Sequence, residues 1–366
     1  MKRSTIKDVA ALAGVSVSTV SRVVNDHETV ASDLRERVLE AMDELQFRPN
    51  VFAQSMRKSK KRVIGLVLPN LTDPFFGSIA NHVIASASEL GESVITCISH
   101  RGGNVYDEAA CFEELSRHGI DGLIYCSIAS IDPSVLQSYL GDLPLVICSR
   151  HDMIKGRPHV FFDHQQGGYL AIKHLIEMGH RRISLSVGVF NPWFQGADEL
   201  EKYIEDPVLA GPFSGLDKFI GARRALEEFG VPYYPELVEF VDLGAAYETG
   251  YRSMQRLISR TSKFDAVFCS NDLSAIGAIH MLEEQRLSVP EDISVIGYDN
   301  GIMATSSQPQ LSTVMQDTTA LGRQCVHVLN KAMDGEPCAD VLVDVYLIIR
   351  QSSCRHTPAE ASKDTV

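Results

Sequence analysis

Arg22 follows Ser18 by four residues and Val17 by five in the run SVSTVSRVVN. Those three side chains have the chemistry to read a DNA base edge. A guanidinium donates two parallel N–H groups to guanine O6 and N7, worth roughly 1–3 kcal/mol of discrimination. A valine meets a thymine methyl, and a serine donates or accepts. Thr5, Ser16, Thr19, Ser21 and Asn25 add short hydroxyl and amide groups of the kind that contact phosphate and set register without reading sequence. Plainer roles are open to the same residues: Val17 in a helical core, Arg22 as a solvated charge.

The surrounding elements decide between these readings. In STIKDVAALA, residues Ile6, Val9, Ala10 and Ala13 recur at helical spacing, Ser4 or Thr5 can cap the start, and Gly14 stops the run. A second helix starts at about Ser16, with Val20, Val23 and Val24 on one face. Two short helices across a Gly turn make a helix-turn-helix, whose second helix enters the major groove with its N-terminal residues on the bases. A third helix over about residues 32–45 should turn Leu34, Val38, Leu39, Met42 and Leu45 inward. Next comes RPNVFAQSMRKSKKR, a linker with six basic residues and one short helix after Pro49.

From Val63 the texture changes to ten short apolar runs, from VIGLVLP to LSTVM, alternating with amphipathic stretches. Apolar strands alternating with helices give parallel sheets covered on both faces, and ten strands are too many for one small sheet. The expected core is therefore two α/β lobes. A ligand between such lobes sits at strand C-termini. Phe75 and Phe76 follow the first strand, Ser149 follows LPLVIC, Asn271 follows VFCS and Asp299 closes VIGY. Phe75 could equally be core packing. Asn271 could equally cap the helix beginning LSAIGAIHML, or do both. The expected domains are 1–47, a helix-turn-helix head; 48–62, a hinge helix and linker; 63–350, a two-lobed sensing and dimerisation core; and 351–366, a polar, disordered tail.

The chain has 366 residues and a net charge of −13. The charge is uneven: residues 1–62 hold 12 Lys+Arg against 8 Asp+Glu, a net of +4, and the remainder holds 22 against 39, a net of −17. A basic head on an acidic body suits a DNA-binding module on a body that should not stick to DNA. No apolar run has the length of a membrane span and no signal-type segment begins the chain, so a cytoplasmic location is expected. The eight cysteines are scattered without a CxxC and read as buried free thiols. GxSxG, Walker A, GxGxxG after a strand and HExxH are all lacking, and the twelve histidines show no metal-ligand spacing; His174 and His180 lie six apart. No enzyme activity, metal or cofactor is expected.

The head sequence TIKDVAALAGVSVSTVSRVVN and the hinge RPNVFAQSMR resemble the lactose-repressor (LacI-type) family of bacterial transcriptional regulators. VIGLVLPNLTDPFF, HLIEMGHRRIS, FDAVFCSNDLSAIGAIHMLEE, VPEDISVIGYDN, LSTVMQDTTALGR and LIIRQSS extend the resemblance, in the family's order, over nearly the whole chain. It implies a core like a periplasmic sugar-binding protein. It also implies a homodimer that represses transcription from operator DNA under control of a small-molecule effector, with a sugar ahead of a nucleoside or purine and a carbohydrate-utilisation operon as the target. By resemblance, Val17, Ser18 and Arg22 are the base-reading positions, and Asn50, Ala53 and Met56 form the minor-groove hinge. Met56 stands where the family usually has Leu. Lys218, in KFIGARRAL, stands where it usually has Arg and cannot offer the planar fork. The stretch 189–217 is longer than the family's and holds the single tryptophan, Trp193. It is either a surface insertion with no contact to ligand or a loop or short helix at the cleft mouth that alters ligand choice, with Trp193 a candidate effector contact.

Overall fold

The computed structural model describes residues 6–24, 31–45, 62–100, 107–126, 133–150, 154–189, 214–242, 246–261 and 263–356. The chain divides into two compact units, Met1–Arg62 and Val63–Val366.

The first unit holds helices α1 (Ile6–Ala13), α2 (Val17–Val24) and α3 (Ser32–Glu44). Gly14 adopts φ +64° after α1. Its N–H reaches Ala11 O and the Val15 N–H reaches Ala10 O, a Schellman closure that needs the left-handed backbone glycine tolerates. The Arg37 guanidinium also donates to Ala13 O at 2.6 Å, satisfying another terminal carbonyl. Ser16 begins α2: its Oγ accepts the Thr19 N–H at 3.1 Å. Val9, Ala10, Ala13, Val20, Val23, Val38 and Ala41 form the core, flanked by Val15, Met42 and Leu45. One inward expectation fails: Leu39 is 51% exposed and Ala41 is buried instead. Val38, Ala41, Met42 and Leu45 make the stripe at spacings of three and four, and Leu39 lies about 100° off it.

The second unit contains two six-stranded sheets. The first has order β11-β5-β4-β3-β1-β2 and the second β12-β10-β9-β8-β6-β7. The first sheet uses β1 (Val63–Leu68), β2 (Ser93–Ile98), β3 (Gly122–Tyr125), β4 (Leu145–Cys148), β5 (His159–Phe162) and β11 (Val341–Val343). The second uses β6 (Ile183–Val189), β7 (Val238–Asp242), β8 (Ala266–Phe268), β9 (Ser294–Asp299), β10 (Ser312–Gln316) and β12 (Val345–Ile348). All pairings are parallel except β10–β12. The ten expected apolar runs are β1 to β10. The last two strands are additional to the expectation, because VLVDVYLI carries no turn signal to divide it.

Helices α4 (Pro74–Glu89) and α12 (Thr318–Met333) pack together on one face of the first sheet, with α5 (Glu108–Arg117) and α6 (Pro133–Leu140) on the other. Helices α7 (His164–Glu177) and α8 (Ser214–Glu228) cover one face of the second sheet, and α9 (Ala246–Arg260) and α10 (Asp272–Glu284) the other. The short helix α11 (Ile302–Ser306) follows β9. A Cβ at Gly168 would meet Lys218 O and one at Gly221 would meet Gln165 O, so α7 and α8 approach backbone to backbone. One apolar cluster runs from Ile64 and Ile124 in the first sheet to Ile183 and Ile296 in the second. The chain passes between sheets from β5 into α7, from β10 into α12, and from β11 to β12.

The expected disordered tail is corrected for residues 351–356. Ser352 Oγ donates to Val295 O at 2.6 Å and accepts the Ser312 N–H at 2.8 Å. Ser353 Oγ lies 2.8 Å from Ser312 Oγ, and the Cys354 N–H reaches Ser294 Oγ. The polar composition reflects a buried strap whose serines satisfy strand starts. The cysteines are free, five buried and three partly buried.

Candidate functional site

The reading face lies on α2. Val17 is 41% exposed, which removes it from the head core. Ser18 and Arg22 are exposed one turn apart on a common face. Ser16 Oγ lies 2.7 Å from Ser18 Oγ and 2.9 Å from Thr19 Oγ1, so three hydroxyls cluster at the helix N-terminus. A helix N-terminus carries a partial positive charge, which favours phosphate. Thr5, Asn25, Asn50, Ala53 and Met56 lie outside the described residues, as does the side chain of Ser21.

The second candidate site gathers at the carboxyl ends of the strands, between the two sheets. Lys218, near the start of α8, is its centre. It is 5% exposed. Its Nζ donates to Ser270 O at 2.8 Å and sits 3.8 Å from the centroid of the Tyr298 ring. Burial pulls its pKa down to about 8, against the upward pull of Asp299, Asp272, Asp73 and Asp217. Asp73 comes from the first lobe and the other three from the second, so the ammonium is held among carboxylates across the cleft.

Each carboxylate is positioned by a strand end or helix start. Asp73 caps α4, its Oδ1 accepting the Phe75 N–H at 2.9 Å; burial raises its pKa, while that bond and Lys218 oppose the rise. Asp272 opens α10. Its Oδ1 accepts the Thr313 hydroxyl at 2.6 Å and its Oδ2 the Gly301 N–H at 2.8 Å, yet burial pushes it up to about 7. Asp299 ends β9 with φ 113°, an uncommon backbone for a non-glycine. Its Oδ1 accepts Gln316 Nε2 at 2.6 Å, and burial raises its pKa well above the ordinary range with Lys218 resisting.

Asn271 ends the β8 loop and forms a full capping box with Ser274. Its Oδ1 accepts the Ser274 N–H at 2.9 Å, so a ligand contact would fall to its amide nitrogen. Phe76 is buried in the core beneath. Phe75 is partly buried, 5.3 Å from Phe76 and 6.3 Å from Phe162 by ring centroid. The aromatic row continues through His164 to Tyr298, 5.9 Å away in the second lobe. Ser149 follows β4 with φ 66°. The structure thus brings Phe75, Lys218, Asn271 and Asp299 into one region, with Ser149 at a first-sheet strand end. Trp193 lies outside the described residues.

Several residues of the cleft carry no mark in the sequence that would single them out: Asp73, Asp272, Tyr298, Ser270 and Gln316. Asp73 in the L-T-D-P-F loop reads only as a cap, and Gln316 gains its place through strand order. Ser270 Oγ and Gln316 Oε1 are buried without a hydrogen-bond partner among the described residues, a state that costs free energy unless something pairs them.

Comparison with known proteins adds the family. Residues 5–50 match the model for bacterial regulatory proteins of the lacI family, residues 61–199 that for periplasmic binding proteins and the sugar-binding domain of the LacI family, and residues 172–353 a periplasmic binding protein-like domain. The HTH-type transcriptional repressor PurR of Haemophilus influenzae is 34% identical over 330 residues, covering 89% of this chain and 90% of that protein. The HTH-type transcriptional regulator DegA of Bacillus subtilis is 30% identical over 359 residues, covering 96% and 98%. Among solved structures, the Lac repressor dimer bound to operator and the anti-inducer ONPF aligns with TM-score 0.77 and 26% identity over 96% of this chain and 100% of that one. The CelR–cellobiose complex aligns with TM-score 0.67 and 30% identity over 96% and 100%. The chain therefore belongs to the lacI family of bacterial regulatory proteins and is a DNA-binding transcriptional regulator, not an enzyme.

Proposed function

We propose that this regulator is a cytoplasmic repressor that binds a pseudo-palindromic operator as a homodimer and answers to a neutral, polyhydroxylated effector, a sugar or sugar derivative, in the cleft between its sheets. The observation that carries the effector class is that four acidic side chains, Asp73, Asp217, Asp272 and Asp299, act electrostatically on the buried ammonium of Lys218. Carboxyl groups hydrogen-bond to hydroxyls whether protonated or ionised, and one ammonium set among four acidic groups leaves no excess positive charge to hold a phosphate. Ser270 Oγ and Gln316 Oε1 offer further groups for such a ligand, and Phe75 an apolar ring face. The sugar-bound CelR structure supports the same reading, and a carbohydrate-utilisation operon is the target it implies.

Val17, Ser18 and Arg22 read bases in this proposal, and Ser16, Thr19, Thr5, Ser21 and Asn25 hold phosphates. Asn50, Ala53 and Met56 enter the minor groove as a hinge. Effector binding changes the balance between two arrangements of the lobes, and only its differential affinity for them moves operator binding. A purine or nucleoside is the second reading, favoured by the similarity to PurR and by the aromatic row.

The test is operator binding at fixed salt with a panel of neutral sugars, sugar phosphates, nucleosides and purines. A neutral sugar should change operator affinity at least about tenfold, the size of an ordinary allosteric coupling, while its phosphate ester has little effect. A purine acting alone would establish the second reading. A phosphorylated effector acting alone would refute the charge argument.

A further inference from the structure

Three residues far apart in the chain meet at the amino-terminal ends of the second-sheet strands, away from the cleft. They are His180, just before β6; Asp265, just before β8; and His356, on the terminal strap. One ligand atom from each lies within 4.8 Å of the other two.

We propose that His180, Asp265 and His356 form a binding site for a divalent transition-metal ion, with zinc as the best-matched member.

The geometry of His180 points there. Its ring is 1% exposed. Its Nε2 lies 3.1 Å from Cys354 O, and a carbonyl only accepts, so Nε2 carries a proton. The other nitrogen, Nδ1, faces Asp265 Oδ1 at 3.3 Å, without the alignment of a hydrogen bond. In the neutral imidazole both of those atoms are acceptors, so their proximity calls for a positive charge between them. A proton could supply it, but a proton has no use for a third donor. His356 is that third donor: its ring centroid is 5.2 Å from that of His180.

The distances fit. Two ligands about 2.0–2.1 Å from a tetrahedral zinc stand about 3.3–3.4 Å apart, the separation found between Nδ1 and Oδ1. The outer shell is also in place. The Asp265 carboxylate is oriented by the Arg181 and Arg182 N–H groups at 3.1 Å, and His180 by the Cys354 carbonyl. Metal-ligating histidines and carboxylates are held in this way. Neither neighbouring guanidinium takes the carboxylate: Arg181 donates to Ile176 O and His180 O, and Arg182 lies over the Tyr234 ring at 4.2 Å. Two imidazoles and one carboxylate suit zinc in the first-row series, with water completing the sphere. Sequence spacing gives no sign of such a site, because the fold assembles it from positions 180, 265 and 356. A bound ion would clamp the strap to the starts of β6 and β8, which makes the site structural and separate from the effector cleft.

The test uses untagged, full-length protein stripped with EDTA and titrated calorimetrically with zinc chloride, alongside cobalt absorption spectra. One equivalent per chain should bind and raise Tm, as a ligand selective for the folded state does. His356→Gln, on the partly buried strap, should fold and weaken zinc binding at least about tenfold, the loss seen even for outer-shell partners, and the rise in Tm should vanish. His118→Gln removes the exposed His118–Glu114 pair and should change neither. No stoichiometric zinc on the wild type, undiminished binding by His356→Gln, or loss of binding in His118→Gln would each overturn the proposal.

Discussion

Arg22 is exposed on the same face of α2 as Ser18, so its guanidinium is free of the head core to meet a base. Arg22→Ala should cost about 1–3 kcal/mol of operator affinity while lowering affinity for random DNA far less; fluorescence anisotropy on both DNAs at one salt concentration measures the ratio. Equal losses on both would make Arg22 a phosphate contact. The buried charges of the cleft give a second residue-scale prediction. Asp272 has its pKa raised from 3.8 to about 7. Between those values the folded state holds more protons than the unfolded chain, so this group's contribution to stability falls as pH rises through the window. Lys218, lowered from 10.5 to about 8, works in the other direction, adding stability as pH rises between its two values. Denaturant melts from pH 4 to pH 7 should show wild type losing about 1–3 kcal/mol that Asp272→Asn does not lose. Parallel curves would mean the carboxyl is ionised throughout. Asp299 and Asn271 are legible in the sequence alone, because strand ends announce themselves. Asp73 is not, since Lys218 lies in the other lobe, and Gln316 is not, since it meets Asp299 only when β9 and β10 pair side by side.

At the scale of elements, the sequence is most legible where one short segment sets its own structure. Gly14, Ser16 and the valines of α2 specify a turn, a cap and a buried face within a short stretch. Gly14→Ala should destabilise the head by about 1 kcal/mol or more: the left-handed φ is costly for alanine, and the new Cβ would lie 2.8 Å from Arg37 Nη2, the group that closes α1. Thermal melts and operator titrations of the variant check this, and an unchanged Tm would contradict it. The α7–α8 contact is of another kind. Gly221 lies against the Gln165 carbonyl, and alanine there would push the two helices apart. Gly221→Ala should lower stability by about 1–3 kcal/mol or more, as overpacking of a rigid contact does, and displace Lys218 from Tyr298, so loss of effector response should accompany the lower Tm. No local signal marks this glycine in KFIGARRAL, because the constraint comes from a second helix. The strap at 351–356 departs from its expected disorder for the same reason: a run of serines is polar in composition but buried once two strands supply its partners.

At the scale of the whole molecule, the division of charge between a head of +4 and a body of −17 directs DNA to the head. Operator affinity should fall steeply and linearly in log–log salt plots. Substituting alanine for Lys58, Lys60 and Lys61 together should flatten that slope by roughly 0.9 for each phosphate no longer neutralised, without changing sequence preference. A changed preference would place those lysines on bases. Fold class is legible because β-branched strands and amphipathic helices alternate in order through the core. Strand order and the three passages between sheets are not, since they depend on pairings between distant segments. Under the proposed function, this chain recognises a particular DNA sequence through α2 as a symmetric pair. Selection from random duplexes by the purified full-length protein tests it most directly. One enriched site with two inverted half-sites is expected, lost with Arg22→Ala. Failure of wild type to enrich any sequence above background would contradict it.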